Sequence, residues 1–158
     1  MEKVLDRFPL PGSWSSACEK GEKGMGYTCG LWELFHIMSI GLVEWNEMLP
    51  NDPNKRLAIG ADHAGDTMRN FVEFFFTCEQ CRKNFLKEYD GCALDRCSRL
   101  TYRRTKSGWI KFSQWLFEFH NTVNARLSRE QAEQEKRTIS KSQEIASQWP
   151  SRYACAKC

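Results

Sequence analysis

Eight cysteines constrain this chain more than any other feature of it. They stand at positions 18, 29, 78, 81, 92, 97, 155 and 158, and each has a close sequence neighbour. The parsimonious reading is four local disulfides: Cys18–Cys29, Cys78–Cys81, Cys92–Cys97 and Cys155–Cys158. Such bridges persist only in oxidising compartments. The rival is a zinc protein in which Cys78-Glu-Gln-Cys81 and Cys155-Ala-Lys-Cys158 form the halves of one four-cysteine site. Those halves lie far beyond zinc-ribbon spacing and lack the glycine-rich knuckle such sites favour. No metal is therefore expected.

The rest of the composition narrows the class. The chain has 158 residues, enough for one domain with a sizeable core. Its 23 basic and 20 acidic residues are too nearly balanced to point to nucleic acid or an anionic membrane. Mean hydropathy is −0.60, and no apolar run approaches a membrane span. The leading stretch MEKVLDRFPLPGSW lacks the apolar core of a signal peptide. An oxidised chain without an export signal, ending on a CxxC, is expected to be a piece of a longer exported protein.

Periodicity predicts helices and almost no strand. Residues 1–29, with Pro9, Pro11, Gly12, Gly21, Gly24 and Gly26, are expected to be irregular and stapled by Cys18–Cys29. Such a bridge contributes roughly 3 kcal/mol. Residues 30–158 form the expected helical domain. A first helix is predicted over 30–49, with Leu31, Leu34, Phe35, Met38, Leu42 and Trp45 on one stripe, ended by Pro50. Residues 50–66 are a polar connection, with Asp66 or Asp62 as N-cap of the next helix. That helix is predicted over 67–89, with Phe71, Phe74, Phe75, Cys78 and Phe85 on its apolar face. A stapled excursion over 90–106 follows. A third long helix is predicted over 108–127, capped by Ser107, with Trp109, Phe112, Leu116, Phe119 and Val123 inward. Residues 128–148 read as a solvated segment with a short helix at 129–136. The fold class is all-α, a four-helix bundle with an additional short helix.

Chemistry enters at Cys78 and Cys81. Two sulfurs one helical turn apart can cycle between dithiol and disulfide by thiolate attack. An inert staple is the bland alternative, but a bridge that closes so short a loop adds little stability. The flanks FVEFFF and KNF set this pair against aromatic side chains. A thioredoxin-type relay would need a βαβ context, which is absent from the pattern. A helical bundle can instead hold a flavin between helices. Trp32, His36, His120, Asn124 and Trp149 are the candidate lining, each also readable as an ordinary core or surface side chain.

Four stretches carry a resemblance to the flavin-binding Erv/ALR domain of the quiescin sulfhydryl oxidases. They are GYTCGLWELFH (26–36), FVEFFFTCEQCRKNF (71–85), WLFEFHNTVNARL (115–127) and QWPSRYACAKC (148–158). The resemblance implies non-covalent FAD, oxidation of two thiols to a disulfide, and transfer of the electrons to O₂ to give H₂O₂. It implies that Cys78 exchanges with the incoming dithiol and that Cys81 lies next to the flavin. Trp32 and His36 match FAD contacts of the first helix. His120, Asn121, Val123, Asn124, Arg126 and Leu127 match the adenine and phosphate side, and Trp149 matches a further ring contact. Gln80 stands where relatives sometimes carry an acid, and Asn84 where they often carry His, so both fall at cofactor-facing positions. Met25 and Ala146 replace basic residues of the family. Cys18–Cys29 and Cys155–Cys158 point to the quiescin branch.

The implied partners are dithiol proteins, or a thioredoxin-like domain of the same longer chain, and O₂. The implied location is the secretory route: endoplasmic reticulum, Golgi or outside the cell. Relatives pair this domain with a second copy or a degenerate copy, which leaves the oligomeric state open. A zinc-stabilised interaction module and a non-flavin disulfide carrier are the alternative functions.

Overall fold

The computed structural model describes residues 25–49 and 57–150, and among them every regular element is a helix. In chain order these are α1 (Met25–Met48), α2 (Ala61–Phe75), α3 (Glu79–Asp90), a 3₁₀ turn (Ala93–Asp95), α4 (Arg96–Arg99), α5 (Lys106–Gln134) and α6 (Lys141–Ala146). The all-α class expected from the sequence holds. The chain divides into two units between Phe35 and His36, so α1 begins in the first and ends in the second. Cys29 lies inside α1, which starts five residues earlier than the periodicity predicts. Cys29 is disulfide-bonded, and its partner lies outside the described residues. The expected partner Cys18 and the pair Cys155–Cys158 also lie outside them.

The buried face of α1 differs from the predicted stripe. Leu31, Phe35, His36, Ser39, Leu42 and Asn46 are buried, whereas Leu34, Met38 and Trp45 are 45%, 45% and 51% exposed. The reason is hydrogen bonding by two polar side chains that a search for apolar positions passes over. Ser39 Oγ donates to His36 O at 2.8 Å. Asn46 Nδ2 donates to Ile59 O, and its Oδ1 accepts from Ile59 N, both at 2.9 Å. That amide clamps the chain leading into α2 and leaves no buried polar atom of its own unsatisfied.

The predicted helix over 67–89 is two helices. α2 ends at Phe75, Phe76 is extended, and α3 starts after Cys78. Because the break is close to one helical turn long, the apolar spacing runs through it undisturbed. The core face of α2 is Ala61, Gly65, Met68 and Val72, continued by Phe76. Phe74 and Phe75, expected inward, are 71% and 66% exposed. The N-cap is Gly60 rather than Asp62 or Asp66. Asp66 instead accepts from Tyr89 Oη at 3.0 Å, which joins α2 to α3. Gly65 permits that approach, since a Cβ there would lie 2.6 Å from the Tyr89 hydroxyl and 2.7 Å from Leu100 Cδ2. Arg69 adds a fork to both oxygens of Asp90, at 3.0 and 2.9 Å.

α5 is the longest described helix. Its N-cap is Thr105, not Ser107; Thr105 Oγ1 accepts from Gly108 N at 3.2 Å. It runs on to Gln134, past the predicted end at 127, and α6 then forms under a capping box of Ser140 and Gln143. In the second unit α5 lies antiparallel to the end of α1. Glu47 meets Lys106 at 2.6 Å, Ser39 O accepts from Ser113 Oγ at 3.0 Å, and His36 meets His120. Trp109, Trp115, Leu116 and Phe119 of α5 are almost wholly buried with Met68 and Tyr89. Rings of Phe85, Tyr89, Trp115 and Phe119 form a closed set, with centroids 5.0 to 5.7 Å apart. Buried rings in such offset and edge-on pairs are worth about 0.5–1.5 kcal/mol each beyond their burial.

The excursion after α3 is pinned onto α5. Cys92 and Cys97 are bonded to each other. Trp115 Nε1 donates to Ala93 O at 3.0 Å, and Arg99 forks onto Glu118 at 2.5 and 3.0 Å. These contacts hold three non-glycine residues, Cys92, Leu94 and Asp95, in the left-handed backbone region.

Candidate redox and ring-binding site

Cys78 and Cys81 are joined as a disulfide, with Cα atoms 5.3 Å apart. The pair stands at the start of α3 rather than within a helix. Cys78 is the N-cap, and its Sγ accepts the Cys81 backbone N–H at 3.3 Å. Arg82 closes the joint from the other side by donating through Nη1 to Phe76 O at 3.1 Å. Both cysteines are half-buried, so a thiol from outside can reach the bond. A helix N-terminus favours negative charge on a sulfur held there.

Four residues after Cys81, Phe85 meets Phe119 edge-on at 5.5 Å. Phe119 precedes His120, so one ring contact links the cysteine helix to the second cluster. There, His36 Nε2 and His120 Nδ1 are 3.0 Å apart. One nitrogen donates and the other accepts. Burial pushes His36 down to about 4. Burial, then repulsion from His36, takes His120 down to about 3. Both rings are therefore neutral near pH 7, as a single shared proton requires. The Trp149 indole stacks on His36 with centroids 3.9 Å apart and planes 19° from parallel. It lies 5.3 Å from His120.

The structure thus gathers His36, His120, Asn121 and Trp149. Asn121 reaches Trp149 backbone atoms 28 residues away: Nδ2 donates to its O at 2.8 Å, and Oδ1 accepts from its N at 2.7 Å. No sequence pattern announces that link. Gln80 and Asn84 bond each other at 3.0 Å along α3. Arg126 pairs with Glu130 at 2.6 Å, and Leu127 is 49% exposed. Val123 and Asn124 are half-buried, and Asn124 makes no hydrogen bond among the described residues. Trp32 is half-buried on α1 in the first unit. Among the described residues no group of His, Cys, Asp and Glu is placed to hold a metal ion.

These features put the chain among all-helical proteins organised around a disulfide that caps a helix. The chain belongs to the Erv1/Alr family, whose profile matches residues 29–150. It is 29% identical over 134 residues to sulfhydryl oxidase 1 of Mus musculus, covering 84% of this chain and 15% of that protein. It is 29% identical over 121 residues to sulfhydryl oxidase 1 of Oryza sativa subsp. japonica, covering 76% of this chain and 19% of that one. With sulfhydryl oxidase 2 of Arabidopsis thaliana it shares 28% over 137 residues, covering 82% and 22%. The chain thus spans less than a quarter of the length of these relatives. No solved structure matches it.

Proposed function

We propose that this domain is an FAD-dependent thiol oxidase that makes disulfides in dithiol substrates and passes the electrons to O₂. The observation that carries the reading is the half-buried Cys78–Cys81 disulfide at the N-terminus of α3. The resemblance gives Cys78 the role of exchanging with the incoming dithiol. An incoming thiolate attacks Cys78 Sγ, a mixed disulfide forms, and Cys81 leaves as the thiolate. The substrate's second thiolate then attacks its own sulfur in the mixed disulfide and expels Cys78. A thiolate leaves faster as its pKa falls, and the N-cap position stabilises Cys78 as it leaves. Two electrons and two protons have then moved from substrate to the cysteine pair.

FAD, when bound, supplies the acceptor that returns the pair to its disulfide and delivers two electrons to O₂, which with two protons becomes H₂O₂. The residues suit that group. Trp149, 38% exposed, offers an uncharged indole face on which a flat heteroaromatic ring can stack, backed by the buried neutral His36 and His120. Asn124 has both halves of its amide available to a purine edge. Arg126, two residues further along α5 and paired with Glu130, is a cationic partner for phosphate. Val123 and Leu127 extend the apolar side of α5. In cells, the substrates are dithiol proteins, or a thioredoxin-like domain of a longer chain, within the secretory route. No described helix is long and apolar enough to cross a membrane.

The test is the visible spectrum of the purified protein, joined to O₂ uptake with dithiothreitol. A yellow protein that releases FAD into the supernatant on acid precipitation supports the reading, provided Cys78→Ser and Cys81→Ser each lose turnover. Colourless protein containing zinc would make it an interaction module. Colourless, metal-free protein would make it a disulfide carrier.

A further inference from the structure

The resemblance places Asn121 among the cofactor contacts, yet its side chain has little left to offer a ligand. Its two N–H bonds go to Phe117 O at 3.2 Å and Trp149 O at 2.8 Å, and its carbonyl oxygen accepts from Trp149 N at 2.7 Å. An amide has two donors and one oxygen, so both donors and half of the oxygen's capacity are used. Two of the three bonds fall on one residue, from both sides of its backbone. That residue is the one whose indole lies on His36.

We infer that Asn121 is a positioning residue: it acts through Trp149 and does not touch FAD. The geometry gives it a specific task. Trp149 belongs to a short segment after α6, is 38% exposed, and lies far in sequence from the His36 and His120 rings that it meets. Gripping its N–H and C=O together fixes the direction of its Cα–Cβ bond. The ring is then confined to the face shared by His36 and His120 before any ligand arrives. Confinement of this kind lowers the entropy lost when a ring ligand is clamped. Asn121 stands next to His120 on α5, so one turn of one helix supplies both a member of the ring platform and the anchor of its lid.

This inference rests on the ring-binding reading above, and its test separates the two. The measurements are FAD affinity by equilibrium dialysis and hydrogen exchange at the Trp149 amide in flavin-free protein. The variants are Asn121→Ala, Asn121→Asp, Trp149→Ala and the double variant Asn121→Ala/Trp149→Ala. Asn121→Ala is expected to weaken FAD about tenfold or more and to speed exchange at Trp149 by a similar factor. Asn121→Asp keeps the oxygen that accepts from Trp149 N but loses the donor, so it is expected to weaken FAD as well. Trp149→Ala keeps the backbone grip but removes the ring, so adding Asn121→Ala to it should change FAD affinity no further. Losses that add in the double variant would mean that Asn121 meets FAD directly and would overturn the inference. Unchanged exchange at Trp149 in Asn121→Ala would overturn it as well. If the parent protein binds no FAD, the ring-binding reading fails, and the exchange measurement alone decides whether Asn121 holds Trp149.

Discussion

Acidification from pH 7 to about 5.5 should destabilise this domain through two residues, His36 and His120. Both bind protons more weakly folded than unfolded, at about 4 and about 3 against the ordinary 6.5 of histidine. Between those values the unfolded chain holds more protons, so lowering the pH favours unfolding. The contribution is complete above 6.5 and is lost progressively as pH falls through the window towards 4 and then 3. Both side chains are 6% exposed, so solvent screens them little. By linkage, each gives up about 1.2 kcal/mol between pH 7 and about 5.5, together about 2.5 kcal/mol. That is a large part of the about 5–15 kcal/mol typical of a domain. Carboxylates remain ionised over most of that range, so they contribute little to the slope. The assay is urea unfolding at both pH values, with a constant m-value. The midpoint should fall by about 1 M. His120→Gln should be less stable at pH 7 and should lose at least half of the pH dependence. A midpoint that is flat between the two pH values, or a slope unchanged in His120→Gln, would refute the buried neutral pair.

Asn46→Ala removes two hydrogen bonds to Ile59 from a buried position and should cost about 2–3 kcal/mol in denaturant unfolding; a loss under about 0.5 kcal/mol would show the clamp to be idle. Gly65→Ala gains helix propensity but drives a Cβ against Tyr89 and Leu100, so thermal melting should show a net loss of about 1–3 kcal/mol and weakened α2–α3 packing. Asn124→Ala should leave the melting temperature almost unchanged, because its amide has no hydrogen bond among the described residues, while weakening FAD about tenfold or more in the same dialysis assay. Equal FAD affinity would remove Asn124 from the site.

The helices were legible where apolar residues alone mark the buried face. α5 is the best case, since Trp109, Phe112, Leu116 and Phe119 are all buried as their spacing predicts. Legibility failed where polar groups form the inward face, as Ser39 and Asn46 do on α1. It failed again at Phe76, where an extended residue interrupts two helices without disturbing the period. Local competition among hydroxyls hid the start of α5, where Thr105 and Ser107 are both good caps two residues apart and only the backbone decides. Of the candidate site, the CxxC and the single residues His36, His120 and Trp149 could be named from the chain. Their assembly could not, because the His36–His120 bond spans 84 residues and the Asn121–Trp149 grip 28.

The interruption at Phe76–Cys78 also has a mechanical meaning. A bridge formed within the body of a helix would load the backbone ladder each time it opened or closed. Here the ladder of α3 begins at the Cys78 carbonyl, which accepts from Arg82 N at 2.9 Å, and the last bond of α2 is Phe76 N to Val72 O at 3.3 Å. Between these two bonds the main chain is outside both ladders and is held by the Arg82 side chain, which donates to Phe76 O at 3.1 Å. Sulfur atoms can separate and rejoin there by side-chain rotation, while both helices, and the aromatic set that α3 carries through Phe85 and Tyr89, stay in register. Opening of the bridge is thereby confined to the junction between α2 and α3 and leaves the frame behind it unloaded.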